Sequence, residues 1–157
     1  MTRIPEGNAP DLKNRSWQIT ADLTVPETGA DGMIFTQGGR FNGIGFYVQD
    51  GKPVFLYNLL NMDRTRIAAK DALKPGKHTV LVKFDFPGKQ PGGPADVTLL
   101  VDGKETAKER IKKTIPLRIS LDETMDIGED AGTPVSEEYK VPFTFKGTLG
   151  KVVVELK

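Results

Sequence analysis

The sequence contains no cysteine and a single histidine, His78. Disulfides, thiolate metal sites and a cysteine nucleophile are therefore excluded, as is any centre built from several histidines. Surplus charge is missing as well: 22 Lys and Arg against 21 Asp and Glu leave a net charge of +1. So even a balance supplies no general pull toward nucleic acid or an anionic membrane. No apolar run approaches the roughly 18 residues of a membrane span, and the opening MTRIPEGNAPDLKN holds no apolar leader segment. A cysteine-free chain suits any compartment, so composition leaves the location unknown. Helical periodicity is also scarce. Asn61 to Leu73 comes nearest to an apolar repeat of 3.6 and is broken by charges.

What is present is strand. Trp17, Ile19, Ala21, Leu23 and Val25 alternate with Gln18, Thr20, Asp22 and Thr24, the pattern of a half-buried strand that Pro26 ends. Met33–Thr36 forms a short strand closed by Gly38-Gly39. Gly43–Gln49 and Pro53–Asn58 flank Asp50-Gly51, a two-residue hairpin signal that recurs at Asp102-Gly103 between 96–101 and 104–111. Val80, Val82, Phe84 and Phe86 alternate within a further strand entered through the turn Lys74–Lys77. Ile115–Leu121 and Phe143–Leu156 are expected to supply the last strands, the latter split by Gly147 or Gly150. This density of short strands and turns predicts an all-β antiparallel sandwich. Residues 1–15, polar and carrying Pro5 and Pro10, are expected to be a linker or surface arm, and residues 16–157 a single domain. The linker-like start and the stop on a strand, Val152–Leu156, lead us to expect a module cut from a longer chain.

The loop Pro87–Pro94 contains Gly88-Lys89, but a P-loop needs Ser or Thr after the lysine and then a helix. Here Gln90-Pro91 follows.

Several blocks together resemble a known family. They are Asn14–Ala21, Gln37-Gly38-Gly39-Arg40-Phe41, Gly45-Phe46-Tyr47-Val48, Gly76-Lys77-His78-Thr79 and, above all, Ser120–Val135. The combination resembles the C-terminal domain of the long bacterial arylsulfatases, and Phe145–Val152 is similar to the last strand of laminin-G and concanavalin-A-like jelly rolls. The resemblance implies a concanavalin A-like jelly roll that packs on, or completes the substrate entrance of, a sulfatase catalytic domain in a periplasmic or secreted parent. Sulfatase chemistry uses a formylglycine made from a C/S-x-P-x-R motif. Ser16, Ser120 and Ser136 stand in no such motif, so no catalytic residue is transferred and this chain by itself is not expected to be an enzyme.

Three chemistries compete for the remaining residues. The acidic stretch Ile119–Val135 offers calcium a set of hard oxygens in Asp122, Asp126 and Asp130, with carbonyls near Gly128 and Gly132, although the spacing is not that of an EF-hand. No motif requires a cofactor, and calcium is the single candidate. A glycosidase pair needs carboxyls about 5–5.5 Å or about 6.5–9.5 Å apart. On a strand, Glu123 and Glu129 would stand roughly 20 Å apart, so a sharp fold-back would be needed. An oligosaccharide is the third possibility, since aromatic side chains stack on sugar rings. Most aromatics here alternate within strands, as core residues do. Arg40-Phe41-Asn42, set between Gly38-Gly39 and Gly43, is instead a loop-borne arginine, aromatic and amide, where binding residues tend to sit. Asn58, Asn61, Asp63 and Arg64 could extend that rim.

Overall fold

The computed structural model describes residues 1–120 and 123–157. Ten strands among the described residues form two five-stranded antiparallel sheets. In chain order they are β1 (Trp17–Val25), β2 (Gly32–Gly38), β3 (Gly43–Gln49), β4 (Lys52–Leu59), β5 (Asp63–Ala68), β6 (Gly76–Asp85), β7 (Ala95–Val101), β8 (Lys104–Ile111), β9 (Met125–Ile127) and β10 (Thr148–Leu156). One sheet runs β10-β1-β6-β7-β8 and the other β5-β4-β3-β2-β9. The expected antiparallel sandwich is what the chain forms.

Alternation along the strands decides what lies between the sheets. Trp17, Ile19, Ala21, Leu23 and Val25 of β1 are all buried and face inward with Val80, Val82 and Phe84 of β6. Trp17 stacks on Phe84 at 4.7 Å and meets Phe55 of the other sheet at 6.0 Å, while its indole N–H donates to the Leu12 carbonyl at 3.1 Å. Both Asp-Gly hairpins have positive φ at each central residue: 52° and 78° at Asp50 and Gly51, 50° and 80° at Asp102 and Gly103. Those are the angles of the type I′ turn, which matches the twist of the strands it joins.

In the sheet that contains them, β2, β3 and β4 are buried on both faces. The sheet's far side is covered by a strap, residues 128–146, in which Val135, Tyr139, Val141 and Phe143 pack against Met33, Tyr47, Val54 and Leu56. Gly45 makes this approach possible, because a Cβ there would lie 2.7 Å from Val135 Cγ2.

Two sequence expectations need correction. The sequence predicts a strand over Ile115–Leu121, yet residues 115–120 form none. Their backbone donors are taken by side chains from elsewhere: Ile115 N–H donates to the Tyr57 hydroxyl at 2.7 Å, and Ile119 and Ser120 N–H donate to the Glu6 carboxylate at 3.0 and 3.2 Å. Pro116 has no N–H to offer a ladder. Phe143–Leu156 is broken at Gly147 (φ 136°), one of the two glycines expected to split it, and β10 begins at Thr148, but the part before the break, 143–146, forms no strand and belongs to the strap. Residues 1–15 lie against the body, where Ile4 and Met125 exchange backbone hydrogen bonds along the edge of β9.

Candidate functional site

At one end of the sandwich, the β2–β3 turn and the 115–120 loop enclose a cleft of about 760 Å³. The turn is held by its own backbone and by the side chains of Asn58, Thr133 and Asn42, which leaves the Arg40 and Phe41 side chains projecting from it. Gly39 N–H donates to the Asn42 carbonyl at 2.8 Å and closes it. Arg40 N–H donates to Thr133 Oγ1 at 3.0 Å, and Asn58 Nδ2 donates to the Arg40 carbonyl at 2.8 Å. Asn58 is fully buried; its amide also donates to the Val135 carbonyl and its Oδ1 accepts from Asn61 N–H. Asn58 therefore braces the turn from beneath and is not part of a rim. Asn42 Oδ1 accepts from Leu60 N–H at 2.7 Å, tying the β4–β5 turn to the same wall.

Phe41 stands out from this braced turn with 70% of its surface exposed. Trp17, Phe46, Tyr47, Phe55, Tyr57 and Tyr139, the other aromatics weighed for stacking on a sugar, are all buried. Beside Phe41, the Arg40 guanidinium makes no ion pair or hydrogen bond among the described residues. Leu60 and Leu117, 55% and 83% exposed, add apolar surface, and Arg118 adds a second guanidinium. Arg118 Nε lies 3.8 Å from Glu6, whose carboxylate is already engaged by Lys13 and two backbone donors. The cleft also contains Glu123, but both of its oxygens accept from Thr133, at 2.7 Å from the hydroxyl and 3.2 Å from N–H. The cleft thus has an apolar floor and rim and two guanidinium groups, Arg40 unpaired among the described residues and Arg118 in a long contact with Glu6.

The wall made by Arg40, Phe41 and Asn42 is legible in the sequence, and the one formed by Leu117 and Arg118 went unnoticed there. The available signal was an apolar residue between Pro116 and Arg118, a poor setting for a sheet interior.

The acidic stretch folds back on itself. Asp122 lies outside the described residues. Asp126 and Asp130 are brought together with Glu123 as the chain folds back through Gly132, but their oxygens are occupied. Asp126 accepts from Arg3 N–H and from Ala131 N–H, the latter at 3.0 Å. Asp130 accepts from the Tyr139 hydroxyl and from Gly132 N–H at 3.2 Å. Burial, with Asp126 and Glu123 adding to it, pushes the Asp130 carboxyl up to about 6. Burial and the Asp130 charge push the Tyr139 hydroxyl up as well. Among the described residues no group of three or more His, Asp or Glu side chains is placed to hold a metal ion. Asp126 and Asp130 are 2% and 1% exposed, closed to a substrate.

His78 joins two turns. Its Nδ1 lies 2.7 Å from Asp102 Oδ2 and its Nε2 2.6 Å from the Lys74 carbonyl. Both partners are acceptors, so the charged ring satisfies both and the neutral ring only one. Burial acts against the charged ring, but these two contacts outweigh it and raise the imidazole above its ordinary value.

No family model matches the chain, and no curated protein matches it in sequence. Solved structures do match in shape. The mouse laminin alpha1 chain, domains LG4-5, aligns over 99% of this chain at TM-score 0.63 and 15% identity. The Ruminococcus gnavus IT-sialidase CBM40 aligns over 90% at TM-score 0.62 and 16% identity, and its structure bound to alpha2,3 sialyllactose at TM-score 0.59. A leech intramolecular trans-sialidase aligns over 98% at TM-score 0.62 and 17% identity. The chain spans 39% of that laminin chain, 76% of the CBM40 chain and 25% of the trans-sialidase chain. At such identities the likeness establishes the fold, a laminin-G-like jelly roll. These matches lend no support to an arylsulfatase C-terminal module in particular.

Proposed function

We propose that this chain is a non-catalytic oligosaccharide-binding module whose site is the cleft between the β2–β3 turn and the 115–120 loop. The observation that carries the proposal is Phe41, an exposed aromatic on a hydrogen-bonded turn beside an arginine that is unpaired among the described residues. A sugar ring stacks on the Phe41 face, and holding the turn rigid beforehand spares the ordering entropy that a mobile loop would lose on binding. Arg40 and Arg118 favour a sugar that bears a carboxylate or sulfate, since Glu123, the cleft carboxylate among the described residues, is bound to Thr133. The shape shared with a CBM40 domain seen with sialyllactose supports the same ligand class. Calorimetry with sialyllactose, a sulfated oligosaccharide and neutral lactose tests it. Acidic sugars should bind more tightly than lactose, and the proposal fails if none binds or if Phe41→Ala leaves the affinity unchanged.

A second reading keeps the cleft as a docking surface for a sulfatase catalytic domain. It is favoured by the exposed apolar side chains Phe41, Leu60, Met62 and Leu117 at this end of the molecule, the kind of patch that a domain contact covers. It expects no oligosaccharide binding, and association with such a domain that Leu117→Asp abolishes.

A further inference from the structure

Of the four outer strands of the two sheets, β5, β8, β9 and β10, three are guarded against further pairing. β8 carries Lys104, Glu105, Lys108, Glu109 and Arg110, and β5 carries Asp63, Arg64 and Arg66. β9 is three residues long and already bridged by Ile4. Charge, shortness and cover are the usual ways in which an edge is kept from recruiting another strand. β10 has none of the three along Val152-Val153-Val154, where it runs regularly past the irregularity at Gly150–Lys151, and among the described residues it pairs only with β1.

The register fixes which backbone groups are available. Lys157 N–H donates to the Ser16 carbonyl, so residues of that parity, Glu155 and Val153 opposite Gln18 and Thr20, turn their polar groups toward β1. Val152, Val154 and Leu156 therefore direct theirs away from the sheet. We propose that β10 pairs antiparallel with β10 of a second copy of this chain, about a two-fold axis at Val153, so that the two five-stranded sheets become one.

The charge pattern picks out this register. Centred on Val153, Val152 lies opposite Val154 of the second copy, and both present outward N–H and C=O groups to each other. Lys151 then lies opposite Glu155 of the second copy on the same face, and by symmetry Glu155 lies opposite Lys151. Centring on Val154 would instead set Lys151 against Lys157, and centring on Val152 would leave Lys151 opposite Val153. Opposite charges in direct cross-strand register stabilise a pair and like charges disfavour it. None of the β10 residues lines the ligand cleft, so pairing leaves that site open.

Sedimentation velocity across a micromolar-to-millimolar concentration series should show a reversible monomer–dimer equilibrium. Glu155→Lys and Lys151→Glu should each raise the dimer Kd by about tenfold, since each change converts two cross-strand attractions into repulsions. Mixing the two single variants should restore association as a heterodimer, and the double variant Lys151→Glu/Glu155→Lys should dimerise like the parent. Neither rescue is expected of variants that merely unfold. Hydrogen exchange supplies a second readout: Val152 and Val154 amides should lose protection on dilution, whereas Val153 and Glu155, held by β1, should keep it. A chain that stays monomeric throughout, or a dimer indifferent to Glu155→Lys, would overturn the proposal.

Discussion

Asp130 links the strap to the pH dependence of stability. Its carboxyl is 1% exposed and is pushed up to about 6, against an ordinary value near 3.8. Below pH 4 the group is protonated whether the chain is folded or not. Between about pH 4 and 6 the unfolded chain ionises it while the folded chain retains the proton, so folding stability falls as pH rises. Two pH units at about 1.4 kcal/mol each make the whole loss about 3 kcal/mol, with about 1.4 kcal/mol of it between pH 5 and 6. His78 acts in the same direction. Its raised value contributes stability that is present below about pH 6.5 and is lost as pH climbs through the folded value. Glu6 and Asp102 act oppositely. Glu6 is held down, despite its burial, by the Ile119 and Ser120 N–H groups and Lys13, and Asp102 by Thr79 N–H and His78. Their stabilisation is present above about pH 4 and is lost in acid. Maximum stability should therefore lie near pH 4–5, where the Glu6 and Asp102 contributions are in place and most of the Asp130 loss is still to come. Urea denaturation at several pH values should show the free energy of unfolding dropping by about 1–2 kcal/mol between pH 5 and 7, roughly 2–8 °C in Tm for a chain of this size. Asp130→Asn keeps an acceptor for the Tyr139 hydroxyl and removes the titration, so it should flatten most of that slope. A parent protein whose stability is level or rises from pH 5 to 7, or an Asp130→Asn variant with the parent slope, would refute the reasoning.

Phe41→Ala should weaken oligosaccharide binding by about 5–30-fold, because a phenyl group gains about 1.5–3 kcal/mol on full burial and 70% of this one is still exposed. Its effect on unfolding should stay within about 0.5 kcal/mol. Arg40→Gln should reduce affinity for an acidic sugar more than for lactose, read by calorimetry. Gly45→Ala should destabilise by about 1–3 kcal/mol through overpacking against Val135, and Gly45→Ala/Val135→Ala should cost less than the sum of the single changes, as measured by a double-mutant cycle. Calcium in the millimolar range should leave Tm nearly unchanged, because the oxygens of Asp126 and Asp130 already accept protein hydrogen bonds. A rise of about 5–10 °C would make them calcium ligands.

Strands that bury one face were legible in the sequence because their side chains alternate, as in β1, and both Asp-Gly turns were legible because few other dipeptides accept two positive φ angles. Phe41 was legible for a related reason, as an aromatic between glycines that no strand could bury. The segment 115–120 is deceptive since its apolar residues suit a strand, and what prevents one lies far away in the chain, in Glu6 and Tyr57. The arrangement of the acidic stretch is hidden for the same reason. Asp126, Asp130 and Glu123 accept from backbone N–H groups and from the Tyr139 and Thr133 hydroxyls in a fold-back that no spacing rule anticipates.

With the opposing sheet on one side and residues 128–146 on the other, β2, β3 and β4 have almost no wet position. Substitutions along them will therefore be tolerated poorly at odd and even sites alike, unlike those in an ordinary half-solvated sheet. Variation is left to the ends. A library that randomises Arg40, Phe41, Leu60 and Leu117 would alter what this tip of the molecule meets without touching any residue that holds the layers together.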